Sequence, residues 1–168
     1  MIVTLHKQDL DNEQLSWLCI EETLTALRGK DPSAKLAAYN GLNEGQKSLY
    51  MFYAFHNHTK SVAELYWFAS YFMTDLKGWP ALMRGIAFYC LDDYLAICHE
   101  IEQLVEQRNK RSDGTWRQAL ASDLDHDPAL LTQMSAIYER YAPIAKEAIN
   151  QMNTYIRENS ADFLIVSE

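Results

Sequence analysis

The sequence predicts an all-α fold, a single-domain bundle of about six to eight helices. Apolar residues recur every three or four positions over most of the chain, which is the spacing of one helix face. Helix start and stop signals separate these stretches, and the 168 residues include only 6 Gly and 4 Pro. Because one hydrophobic core usually serves about 100 to 200 residues, we interpret residues 1–168 as one domain.

The N-terminal quarter is predicted to hold an extended arm and two helices. Residues 1–8 are interpreted as the arm, because a single strand would have nothing to pair with. A first helix is expected over about residues 12–29, where apolar positions recur at helical spacing. Asp31 followed by Pro32 is typical of a helix start and predicts a short helix over 32–39.

Two further helix starts predict a hairpin that is rich in aromatic residues. Asn43 and Gln46 have the form of a capping box before a helix that ends near Phe55, and Ser61 with Glu64 forms the box of the next helix. The short connection predicts an antiparallel pair. Bulky rings at helical spacing usually fill a core, although some should reach the surface here, and at least one of Trp67 and Phe68 is expected to be buried. The rings are Tyr50, Phe52, Tyr53, Phe55, Tyr66, Trp67, Phe68, Tyr71 and Phe72.

The C-terminal half is predicted to contain more helix and one polar loop. The sequence leaves open whether residues 80–109 form one helix or two, since Asp92 and Asp93 can cap a new helix. The most polar stretch, 109–127, is expected to be a loop. In the long helical pattern that follows, Pro143 should kink or divide the helix, because proline cannot donate a backbone hydrogen bond.

Charge and cysteine content restrict the classes of function and location. The 23 acidic and 15 basic residues give a formal net charge of −8, which argues against direct nucleic-acid binding. The three cysteines are odd in number and form no C-x-x-C pair, which favours a reducing compartment. Cys90 and Cys98 lie on apolar helical patterns and are interpreted as small hydrophobes. With neither a signal peptide nor a membrane span predicted, we expect a cytoplasmic protein that does not bind membranes.

A site for a metal or small molecule is one hypothesis. His56, His58 and Glu64 could ligate a divalent ion, beside the aromatic hairpin. Imidazoles two residues apart do not share a helix face, and the spacing fixes no third ligand. No motif of nucleophilic or nucleotide chemistry occurs. We therefore expect no bound metal and no cofactor, assign no catalytic residue and favour a non-enzymatic protein, while the ligand-binding alternative stays open.

Acidic residues suggest another kind of site, a surface for a basic protein. Five acids follow one another without an intervening Lys or Arg, and a negative face of this kind attracts a positively charged partner. The alternative is an ordinary surface that keeps the protein in solution. The candidate partner-binding residues are Asp92, Asp93, Glu100, Glu102 and Glu106.

The chain resembles the bacterial DNA-mimic-protein domain family over roughly residues 36–163. The resemblance lies in the helix start at 42–50, the helical hairpin after it, and 155–159 followed by Phe163. The asparagine and double-glycine signature of the family is absent, and residues 61–68 stand in its place. The resemblance implies an acidic helical protein that presents carboxylates as DNA presents phosphates and so binds a basic DNA-binding protein. The resemblance does not assign a functional role to any residue of this chain.

Overall fold

The computed structural model describes residues 2–167 and confirms the all-α class. Within this part of the chain there are nine α-helices, and the six long ones agree with the predicted six to eight. Their buried apolar residues form one cluster. The helices are α1 (Leu15–Leu18), α2 (Glu21–Ala26), α3 (Pro32–Asn40), α4 (Glu44–His56), α5 (Val62–Thr74), α6 (Trp79–Phe88), α7 (Asp92–Asn109), α8 (Asp123–His126) and α9 (Pro128–Glu158).

The N-terminal segment contains a strand with a partner, so the prediction of an unpaired arm over residues 1–8 is wrong for the described residues, which begin at residue 2. Strand β1 (Val3–His6) pairs in parallel with β2 (Leu164–Ser167), and Val3 lies opposite Leu164. Both of these side chains are buried in the core. The sequence did not indicate this pairing because the two strands lie at opposite ends of the chain.

The helix expected over residues 12–29 is divided into α1 and α2. Cys19 and Ile20, between the two helices, are both 1 % exposed, so the chain turns there to bury them. The α9 residue Asn153 supports α1 with its side-chain amide. Its Oδ1 accepts a hydrogen bond from the backbone N–H of Ser16 at 2.8 Å, and its Nδ2 donates to the carbonyl oxygen of Glu13 at 2.7 Å.

The predicted starts of α4 and α5 are confirmed, with one difference. Asn43 and Gln46 form the reciprocal capping box. Ser61 caps α5 by accepting a hydrogen bond from the backbone N–H of Glu64. The Glu64 carboxylate accepts from the backbone N–H of Lys60, at 2.7 Å, instead of completing a box with Ser61.

The main neighbour of α4 is α6, and not α5 as the predicted hairpin implied. Gly85 of α6 allows this close approach. A Cβ atom at that position would lie 3.0 Å from the Cα of Ser48 on α4, so a larger residue would push the helices apart. Helix α5 packs instead against α7 and α9, and α7 also packs against α9.

The region 80–109 consists of two helices. Helix α6 ends because Cys90 adopts a left-handed conformation, with φ 54°. The backbone N–H of Leu91 then donates to the carbonyl of Ile86, and that of Cys90 donates to Ala87. These bonds satisfy carbonyl groups that the helix end would otherwise leave free.

The last helix continues through Pro143 without a break, so of the two outcomes predicted for this proline, a kink or a division of the helix, the division is wrong. Helix α9 has 31 residues. Pro143 lies on the solvent side, whereas Tyr141 and Ala145 on either side of it are buried against the core. Packing of this inward face keeps the helix in place despite the missing backbone hydrogen bond.

The polar segment 109–127 is mainly loop, as predicted, and ends in the short α8. A bridge between Lys110 and Trp116 closes its first part. Within residues 2–167, no helix combines the length and the apolar character needed to span a membrane.

Candidate functional site

A cavity of about 310 Å³ lies between the N-terminal end of α7 and the middle of α9. A left-handed residue, Cys90, lies in the connection from α6 to α7, and α7 packs against α9. Carboxylates, an amide and a thiol share its wall with apolar side chains. The lining residues are Cys90, Leu91, Asp92, Asp93, Tyr94, Ile144, Glu147, Ala148 and Gln151.

Three of these lining residues are acids from two different helices. Asp92 and Asp93 occupy the first turn of α7, where the helix dipole stabilises negative charge. Glu147 comes from α9, and its carboxylate accepts a hydrogen bond from the Asn150 amide at 3.2 Å. All three side chains are exposed, and among the described residues none of them takes part in an ion pair. The cavity is therefore a concave site of negative charge.

The other predicted acids differ from these three because each has a partner of its own. Arg140 on α9 binds Glu100 through both terminal guanidinium nitrogens, at 2.9 and 2.6 Å, and this lowers the pKa of Glu100. Lys110 donates to Glu106 at 2.9 Å.

Glu102 lies 3.4 Å from the imidazole of His99, and the two groups form an ion pair only when that imidazole is protonated. The sequence prediction considered only residues between the acids, whereas Arg140 comes from 40 residues beyond Glu100. At 1.5 Å per residue, Asp92 and Glu106 are about 21 Å apart along the helix. The structure therefore divides the predicted acidic row into two parts: Asp92 and Asp93 at the cavity have no ion-pair partner among the described residues, whereas Glu100 and Glu106 are paired with Arg140 and Lys110.

Cys90, Glu147 and Gln151 line the cavity although sequence reasoning did not select them. The interpretation of Cys90 as a core residue is wrong, because its side chain is exposed and its backbone is left-handed. Glu147 and Gln151 are four residues apart and so share a face of α9, and this spacing can be recognised in the sequence. Nothing in the sequence indicated that this face meets the start of α7.

The three residues proposed as alternative ligands do not converge. His56 is partly buried, with its Nδ1 atom 3.4 Å from the hydroxyl of Tyr141. His58 is exposed and its ring lies 4.6 Å from that of Phe68. The Glu64 carboxylate accepts a hydrogen bond from the backbone N–H of Lys60. Among the residues that the structure describes, no group of three or more His, Cys, Asp or Glu side chains could hold a metal ion.

Part of the aromatic hairpin reaches the surface, as the sequence predicted. Trp67 and Tyr71 on α5 are 36 % and 37 % exposed. Their rings are nearly parallel, at 5°, with centroids 5.7 Å apart. Phe68, between them in sequence, is 5 % exposed and belongs to the core. Helix α5 thus presents a small stacked aromatic surface.

No protein-family model, curated protein or solved structure matches this chain. The resemblance to the DNA-mimic-protein domain family stays a prediction from the sequence.

Proposed function

We propose that the chain is a non-enzymatic protein-binding domain that holds a basic side chain of its partner in the acidic cavity. One observation carries this proposal. Asp92, Asp93 and Glu147, three carboxylates without an ion-pair partner among the described residues, line the same concave site. A cation entering this site would meet negative charge from two helices.

The mixed lining of the cavity suits lysine or arginine in particular. Both side chains have an apolar stem and a charged head. Ile144 and Ala148 offer apolar contact to the stem, and the three carboxylates can accept hydrogen bonds from the head. An anionic or purely apolar ligand would leave these carboxylates without compensation.

The partner class that follows is a basic protein segment, of the kind that DNA-binding proteins present. Such a segment would agree with the DNA-mimic resemblance. The unpaired acids, however, form a compact site and not a long array that resembles DNA phosphates. A short basic motif of the partner is therefore a better match to it than an extended DNA-binding surface. Duplex DNA itself is expected not to bind, because phosphates would be repelled.

The proposal can be tested by NMR titration of the ¹⁵N-labelled protein with an arginine-rich peptide. We expect chemical-shift changes at residues 90–94 and 144–151, and binding that weakens strongly between about 50 and 150 mM salt, as screening requires. A glutamate-rich peptide of equal length and a short DNA duplex serve as controls. Changes centred elsewhere, binding that is indifferent to salt, or DNA binding at about 150 mM salt would contradict the proposal.

A further inference from the structure

Helix α3 differs from the other long helices of the described residues because none of its side chains is buried. It takes no part in the main packing contacts between elements. At its C-terminal end Tyr39 contacts Tyr50 on α4, with ring centroids 5.7 Å apart. Most of the helix faces solvent, and Leu36 is 59 % exposed. Helix α3 is therefore a surface element that does not contribute to the core.

The residues at its start explain why α3 forms without support from the core. Isolated helices shorter than about 12 to 15 residues are marginal in water. Here the Asp31 carboxylate accepts hydrogen bonds from the backbone N–H groups of Ser33 and Ala34, at 2.9 and 3.0 Å. Pro32 presets the backbone of the first turn. These residues stabilise a helix whose outer side stays available for contact.

The surface of α3 and of the turn before it is basic, in contrast to the chain as a whole. Arg28, Lys30 and Lys35 are exposed, and among the described residues none of them takes part in an ion pair. The acid between them, Asp31, uses its carboxylate to cap the helix. We call Arg28, Lys30, Lys35 and Leu36 the basic corner. It combines three unpaired positive charges with an exposed apolar side chain.

The acidic cavity has the opposite composition. It carries three carboxylates without an ion-pair partner among the described residues, and its described lining contains neither lysine nor arginine. Ile144 and Ala148 add apolar surface next to these carboxylates. The charges and the apolar groups of the basic corner are therefore complementary to those of the cavity.

We propose that the basic corner of one copy of this protein binds in the acidic cavity of a second copy. The inference rests on the function proposed above, because it names one occupant of that same cavity. A basic side chain of the corner enters the cavity, with its stem against Ile144 and Ala148 and its charged head among the carboxylates. The surface involved is small, so the association is weak, with a Kd on the order of 0.1 mM.

The net charge of −8 does not prevent this contact. Two copies repel each other at long range, but at physiological ionic strength charges more than about 8 Å apart are largely screened. The groups that come into contact therefore decide, and at this interface they have opposite signs. Contact between two cavities, or between two basic corners, would instead bring like charges together.

A charge exchange tests the proposal at about 150 mM salt, where long-range repulsion is screened. The corner variant is Lys30→Glu/Lys35→Glu, and the cavity variant is Asp92→Lys/Asp93→Lys. In sedimentation velocity from about 0.05 to 1 mM protein, the sedimentation coefficient of the parent should rise with concentration. Each variant alone should stay at the monomer value, because its corner and its cavity then carry charge of the same sign. An equimolar mixture should associate again, since an intact corner then meets an intact cavity.

The control variant Lys7→Glu/Arg111→Glu changes the net charge by the same amount as the corner variant, at exposed positions outside the basic corner. It should associate as the parent does. The proposal would be overturned by a parent protein that stays monomeric over the whole range or by a corner variant that still associates. A mixture that stays monomeric, or a control that no longer associates, would overturn it as well.

The corner variant also separates this proposal from the function proposed above. Its cavity is unchanged, so an arginine-rich peptide should bind to it as to the parent. The same peptide should reduce self-association of the parent, because both occupants compete for one cavity. Peptide binding without self-association would overturn the present proposal and leave the proposed function standing, whereas absence of both would contradict the two together.

Discussion

Helices α5 and α7 pack side by side, but they present different chemistry to solvent. On α5, Trp67 and Tyr71 stack on each other at the surface, whereas the outer side of α7 carries acids. The inward sides are alike, with Phe68 on α5 and Ile101 on α7 both buried. The difference shows that residue type alone does not decide what a helix face does, since aromatic residues of one helix occur both in the core and outside it.

The acids of α7 also show, within one helix, that residues of the same type can have different surroundings. Glu100 and Glu106 are paired with bases, while Asp92 and Asp93 face a cavity without such partners. A row that is uniform in sequence therefore has two roles in the fold.

The largest effect is expected from the core ring of α5. Phe68→Ala should lower the free energy of unfolding by about 3 to 5 kcal/mol, because it removes a buried aromatic side chain and leaves a cavity. Trp67→Ala should cost clearly less, since its ring is 36 % exposed. Denaturant unfolding of both variants measures the loss of unfolding free energy for each. Equal losses would mean that the two rings are not divided between core and surface.

The next effect is a pH dependence of stability caused by His56. Its pKa is lowered to about 4, from 6.5, by burial. Between these values the unfolded chain binds a proton that the folded chain does not, so stability should fall as the pH falls. The slope is about 1.4 kcal/mol per pH unit, up to about 3 kcal/mol in total. His56→Gln should remove this one-proton slope in unfolding experiments from pH 7 to 4.

A matched control for the pH dependence is His58→Gln, which changes an exposed imidazole two residues away. That variant should keep the slope of the parent protein. If the two substitutions changed the slope equally, His56 would not be the buried neutral group that the structure describes.

A smaller effect is expected where the polar loop joins α5 to α7. Arg117 donates from Nη2 to Asn109 and to Asp123, at 2.7 Å each, and to the hydroxyl of Tyr66 at 3.1 Å. These contacts lower the pKa of Asp123 to about 2, chiefly through the hydrogen bonds from Arg117. Arg117→Ala should cost about 1 to 3 kcal/mol, because partly buried acceptors lose their donor.

Arg111→Ala is the control for that substitution, because Arg111 lies exposed in the same loop. Thermal unfolding should show a clear decrease in melting temperature for Arg117→Ala and almost none for Arg111→Ala. A similar decrease for both variants would indicate that the loop is held by general charge effects and not by the Arg117 contacts.

Much of the fold could be predicted because its signals are local. The Asn43 and Ser61 caps start helices where the sequence indicated, and Asp31 caps α3 by accepting hydrogen bonds from the Ser33 and Ala34 backbone. The errors arose from contacts between distant parts of the chain. The pairing of β1 with β2 and the continuity of α9 at Pro143 depend on packing partners that no local pattern specifies.

The candidate site could be predicted only in part for the same reason. Asp92 and Asp93 were selected from the sequence, and they line the cavity. Glu147, on the opposite side of the cavity, and Arg140, which occupies Glu100, both come from α9. Their roles appear only once α9 packs against α7, so the sequence could indicate acidic residues but not which of them stay unpaired.

The central claim is that the unpaired acids at the cavity, and not the acidic row as a whole, bind a basic partner. Two variants that each remove two negative charges test it: Asp92→Asn/Asp93→Asn at the cavity and Glu100→Gln/Glu106→Gln in the paired part of α7. The measurement is the association rate of an arginine-rich peptide at low salt. We expect a decrease of about tenfold for the first variant and less than about twofold for the second, because exposed, unpaired charges steer the encounter whereas the charges of Glu100 and Glu106 are already offset by Arg140 and Lys110. Equal decreases, or no decrease for the cavity variant, would contradict the account.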